Sequence, residues 1–125
     1  MTLEVLPQAL TVCKTASMAE IDTNGTFFFI GRTDEEISLV CPTADTPART
    51  LAREDGWRGF RIRGTLDFSL VGILSRLSAV LAEAGIGIFA VSTYNTDYIL
   101  VKEKDLDRAL DMLAAAGYEI DRGKA

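Results

Sequence analysis

The strongest constraint on the fold lies between Gly59 and Asp121, where the spacing of apolar residues switches between a period of two and a helical period. In "GFRIRGTL", Phe60 and Ile62 fall on one side and Arg61, Arg63 and Thr65 on the other, the pattern of a strand with one wet face. "DFSLVGILSRLSAVLAEAG" then brings Ile73, Leu74, Leu77, Val80, Leu81 and Ala84 onto one face of a helix. Asp67 or Ser69 is placed to cap its start, and Gly85 to close its end. "IGIFAVSTY" and "YILVKE" predict two strands joined by a tight turn at Asn95–Asp97. Asp105 is expected to cap a second helix that carries Leu106, Ala109, Leu110 and Leu113 on its apolar face and ends at Gly117. "YEID" closes as a short strand. The order is βαββαβ.

That order predicts an α+β fold of the ferredoxin-like type, with an antiparallel sheet and its helices on one face. The first half is less regular. "ALTVCKT", "TFFFIGR" and "EISLVCP" read as strands, and "TPARTLARED" as a short helix with Pro47 in its first turn. "SMAEIDTNG" is too short for a full helix and ends in an Asn-Gly turn signal. Residues 1–58 therefore read as a strand-rich unit with its first helix shortened, and residues 59–125 as the complete one. Asp55–Gly59, with two glycines, is the expected junction. There is no strict sequence repeat and no long linker.

Composition narrows the function classes. A net charge of −5 argues against a nucleic-acid partner, which calls for clustered Lys and Arg. No run is long enough to span a membrane, and the N-terminus does not read as a signal peptide, so the expected location is cytoplasmic. Cys13 and Cys41 sit among apolar residues and read as buried thiols of a reducing compartment. The chain contains no histidine, which removes the commonest general base and every Ser-His or Cys-His pair. Neither a metal site nor a cofactor is called for, and the chain is not expected to be an enzyme.

Two stretches carry candidate chemistry. "GTLDFSLVG", Gly64–Gly72, is a strand-to-helix turn; a helix start offers free backbone N–H groups and a partial positive charge that suit a carboxylate. Gly72 permits close approach, and Asp67 can meet an ammonium group. The plainer alternative is that Asp67 caps the helix and Gly72 eases packing. "STYNTD", Ser92–Asp97, is a run of hydroxyls and amides longer than a hairpin turn needs, although a turn alone accounts for much of it. "RTDEE", Arg32–Glu36, reads as a solvated turn, and Trp57 as packing at the junction. "GIGIF" follows a helix and is no phosphate loop.

From about Gly59 to Ile120 the chain resembles an ACT domain. "LDFSLVGIL" and "STYNTDYILV", in that order and spacing, are most similar to a subfamily of small stand-alone bacterial ACT proteins, related to the CASTOR-type arginine sensors and the regulatory part of aspartate kinases. The resemblance implies a binding module whose units pair side by side, here as a homodimer, with an amino acid held at the interface between ACT units. Carried onto this chain, it implies ligand contacts from Leu66, Asp67, Phe68, Ser69, Leu70, Val71 and Gly72, and from Thr93 and Asp97 of the hairpin. The backbone of Leu70, Val71 and Gly72 would meet the carboxylate. Asp67 or Asp97 would meet an amine, with a basic side chain mildly favoured. The competing reading is a ligand-free dimerisation or protein-interaction module.

Overall fold

The computed structural model describes residues 1–64 and 72–123. The elements in chain order are β1 (Thr2–Val5), β2 (Leu10–Thr15), β3 (Phe29–Arg32), β4 (Ile37–Pro42), β5 (Ala52–Ile62), α1 (Ile73–Glu83), β6 (Phe89–Ser92), β7 (Asp97–Lys102), α2 (Leu106–Ala115) and β8 (Glu119–Asp121). Single 3-10 turns occur at Met18–Glu20, Thr43–Asp45 and Glu103–Asp105. The chain divides into two compact units, one made of Gln8–Trp57 and the other of Met1–Pro7 with Arg58–Ala125.

The second of these units has the βαββαβ order, β5-α1-β6-β7-α2-β8, and the mixed α+β architecture that the periodicity predicts. Its strands run β6-β7-β5-β1-β8 across the sheet. The N-terminal strand β1, not foreseen in the sequence, lies antiparallel to β5 (Leu3 opposite Ile62) and parallel to β8 (Leu3 opposite Ile120). The β1–β8 pair is thus parallel, in contrast to the antiparallel β1–β5 and β6–β7 pairs of the same unit. It arises because β1 occupies the place beside β5 that the closing strand would otherwise take.

Alternation puts Leu3, Phe60, Ile62, Ile99 and Val101 on the helix-covered face, where they meet Leu77 and Leu81 of α1 and Ala109, Leu110 and Leu113 of α2. Each fully buried aliphatic or aromatic side chain contributes roughly 1.5–3 kcal/mol. Both helices end as expected in glycine caps. Gly85 has φ 73°, and Ile86 N–H donates to Leu81 C=O at 2.9 Å. Gly117 has φ 105°, and Tyr118 N–H donates to Leu113 C=O at 3.1 Å. Arg108 of α2 donates to Ala84 C=O at 2.7 Å, tying α2 to the end of α1. Asp105 occupies the N-cap of α2 but makes no side-chain capping bond; its carboxylate receives Arg108 Nη2 at 3.4 Å instead.

The Gln8–Trp57 unit pairs β3 with β4, β4 with β2, and β2 with residues 52–57 of β5, all antiparallel. Its core is small: Cys13, Ile21, Leu39 and Cys41, backed by Met18, Phe28, Ile30 and Ile37. The short helix expected in "TPARTLARED" is absent, and β5 begins at Ala52. Pairing with Val12–Lys14 overrides the weak helical signal of a segment too short to offset helix nucleation. The strand is fixed further by Asp55, whose Oδ1 lies 2.8 Å from both Thr11 Oγ1 and Arg53 Nε. A bulge follows where the register shifts, with Gly56 at φ 83°.

The two units share a hairpin. In β3–β4, Phe29 faces Val40 and Arg32 faces Ile37; in β6–β7, Phe89 faces Leu100 and Ser92 faces Asp97. Every pair is displaced by 60 positions, as Phe29 to Phe89 shows, and each hairpin runs into a 3-10 turn, Thr43–Asp45 or Glu103–Asp105. Between Phe29–Asp45 and its counterpart only Phe29/Phe89, Thr33/Thr93 and Asp45/Asp105 are identical, so the repeat lies in structure and not in sequence.

Candidate ligand-binding site

The corner singled out in the sequence is where β5 ends and α1 begins. Leu66, Asp67, Phe68, Ser69, Leu70 and Val71 lie outside the described residues. The two glycines that bracket them are described. Gly64 has φ 90° and Gly72 has φ 80° with ψ 9°, a left-handed conformation that disfavours any residue with a Cβ. Gly72 occupies the N-cap of α1, where Asp67 or Ser69 was expected, and its carbonyl accepts Arg76 N–H at 2.9 Å. With glycine there, the first N–H groups of α1 receive no bond from a cap side chain, and no acidic residue occupies the first turn. A Cβ at Gly72 would stand 3.7 Å from the Arg76 guanidinium.

The hairpin's polar run is organised first around its own turn. Thr93 N–H donates to Thr96 C=O at 2.8 Å, and Thr93 Oγ1 donates to the same oxygen at 2.9 Å. Thr96 N–H donates back to Thr93 Oγ1 at 3.3 Å. The turn therefore spans Thr93–Thr96, and β7 starts at Asp97. Thr93 is largely spent on it. Asp97 Oδ1 accepts Ser92 Oγ at 2.6 Å, which leaves the second carboxylate oxygen to meet another donor. Tyr94 stands at the tip, 79% exposed.

Thr96 is the residue that ties the corner together. It is buried, and its Oγ1 donates to Ile62 C=O at 2.7 Å, the last carbonyl of β5. That bond holds the hairpin turn against the strand end from which the strand–helix turn departs. In the sequence Thr96 is one polar residue among six, and nothing there distinguishes it from its neighbours.

On the face of this sheet away from the helices, the alternation of Arg61 and Arg63 builds an ionic network. Glu4 accepts Arg61 Nη2 at 3.2 Å and Arg63 Nε at 3.0 Å, and Arg63 also reaches Asp121. Arg61 Nη1 lies 3.2 Å from the Tyr98 hydroxyl, and its guanidinium stands over the Tyr98 ring at 5.9 Å from the centroid. Arg63 first, and then Arg61, hold the Glu4 carboxyl below its usual range against the opposing effect of burial. In the other unit, burial pushes both Cys13 and Cys41 up, so each remains a neutral thiol rather than a nucleophile. Among the described residues no group of three or more Cys, Asp and Glu is placed to hold a metal.

The ACT domain family model matches residues 52–115. Among solved structures, a protein from Agobacterium tumefaciens is 33% identical over 99% of this chain and 94% of its own length, with a TM-score of 0.86. A Vibrio cholerae protein of unknown function is 18% identical over 91% of this chain and 88% of its own, with a TM-score of 0.67. The aspartate kinase of Clostridium acetobutylicum, an allosteric enzyme, is 12% identical over 86% of this chain but only 32% of its own, with a TM-score of 0.62. The last two likenesses concern the fold alone.

Proposed function

The chain belongs to the ACT domain family, and from that premise we propose that it is a small cytoplasmic sensor that binds a free amino acid at an interface between ACT units of a homodimer. ACT domains are regulatory small-molecule-binding modules. The finer reading concerns the ligand and its place. The unit of Gln8–Trp57 is taken as a shortened ACT-like unit, since it repeats the hairpin of its neighbour in register.

The observation that carries the site is the Thr96–Ile62 bond, because it brings the hairpin turn and the β5 end to one corner. The start of α1, whose N-cap Gly72 brings no side-chain cap bond, is the source of main-chain donors for a carboxylate in this reading. The resemblance to ACT domains adds the backbone of Leu70 and Val71 and contacts from Leu66, Phe68 and Ser69 to the proposed site. Asp67 and the second oxygen of Asp97 supply acceptors for an amine, and Thr93 borders the site.

Calorimetry and thermal shift against the common amino acids test this directly, since a ligand of the native state raises the apparent melting temperature by mass action. At least one amino acid is expected to bind saturably, and Asp67→Ala is expected to weaken it. Folded protein that ignores the whole panel, yet remains dimeric by light scattering, favours the ligand-free assembly module instead.

A further inference from the structure

A cavity of about 300 Å³ lies within the Gln8–Trp57 unit, lined by residues between Ile21 and Thr46. Its position follows from the shared hairpin. In the helical unit, Ile99 and Val101 of β7 are covered by α1 and α2. Their counterparts 60 positions earlier are Leu39 and Cys41 of β4, and both line the cavity. The helix layer of this unit is reduced to the 3-10 turns Met18–Glu20 and Thr43–Asp45, so space remains where the other unit has helices.

The lining has a consistent chemistry. Ile21, Leu39 and Cys41 are buried and form an apolar floor, with the rings of Phe27 and Phe28 beside them. The charged residues that line it are Asp22 and Asp45; no Lys or Arg does so. Asp22 uses Oδ1 to accept Asn24 N–H at 2.9 Å, which leaves its other oxygen for a ligand, and among the described residues no cation pairs with Asp45. A lining that joins two exposed carboxylates to the edges of Phe27 and Phe28 and a little aliphatic surface complements a small molecule with a positive head and an apolar body.

We propose that this cavity is a second binding site, for a small organic cation such as a primary amine on an aromatic or branched aliphatic body. It is independent of the amino-acid site assigned to the other unit.

The test uses the full chain and calorimetry with phenethylamine, 2-phenylethanol and phenylacetate, which share a ring and differ in charge. Phenethylamine is expected to bind saturably, a few-fold tighter than the alcohol, as expected for an ion pair with exposed carboxylates. Asp45→Asn is expected to weaken it a few-fold. Ala44→Trp, which places bulk at an exposed lining position, is expected to abolish it, with the fold checked by circular dichroism. Absence of saturable heat with phenethylamine overturns the proposal, as does equal binding of all three compounds or binding that Ala44→Trp leaves intact. Asp97→Asn separates the two sites: it is expected to alter amino-acid binding and to leave phenethylamine binding unchanged.

Discussion

The two units carry the same hairpin in the same register and differ in what lies on it. Among the described residues, twelve buried ones gather between sheet and helices in one, and four under two 3-10 turns in the other. The hairpin is therefore a local device that forms with or without a helix layer. Its turn explains why. Thr33 N–H donates to Glu36 C=O at 2.9 Å just as Thr93 N–H donates to Thr96 C=O at 2.8 Å, and in both turns the threonine hydroxyl accepts from a backbone N–H within the turn. What the helix layer adds is burial, and with it most of the cohesion expected of the helical unit.

The sharpest way to break this comparison is in the cores. Leu77→Ala, at a fully buried site of α1, is expected to cost about 2–5 kcal/mol in denaturant unfolding. Leu39→Ala, beside an existing cavity, is expected at the low end of that range; equal losses would mean that the thin layer packs as well as the thick one. Next come the turns. Thr96→Val leaves the Ile62 carbonyl without its buried donor and is expected to cost about 1–3 kcal/mol and to weaken amino-acid binding. At the matching position, Glu36→Val is expected to stay within about 0.5 kcal/mol, as an exposed site should.

Glycine sharpens the contrast further. Gly72→Ala forces a Cβ into a left-handed conformation and is expected to cost about 1–2 kcal/mol. Gly31→Ala in β3, where φ is not positive and the nearest atom is Ser38 Cβ at 4.0 Å, is expected to be neutral or slightly stabilising. The smallest effect is ionic. Glu4 has a depressed folded pKa, so its contribution is present above the ordinary glutamate value of 4.5 and fades as pH falls through the lower folded value. Glu4→Gln is therefore expected to flatten the acid limb of the stability profile. The same substitution should leave the profile above neutral pH unchanged in shape.

Much of the helical unit was legible because its period changes are long and its caps are glycines; Gly85 and Gly117 close the helices where the sequence places them. The rest failed for physical reasons. β1 is four residues long, and its partners lie near Ile62 and Ile120, so no local signal announces it. "TPARTLARED" carries a weak helical pattern that strand pairing overrules. In the hairpin, Thr93 closes the turn and Thr96 anchors it to Ile62, and no residue type in the run distinguishes the two beforehand. The cavity of the other unit is invisible in sequence because it arises from a missing layer, which no residue type marks.

The place of β1 has a consequence for how the protein is made. Its residues precede both of its neighbours in the chain, a strand begun fifty residues later and one begun at Glu119. The segment between can close on itself while β1 waits for β5, and then for β8, to emerge. A fragment starting at Arg58 would lack Leu3 from its core, so an isolated C-terminal half is a poor surrogate for the unit it came from.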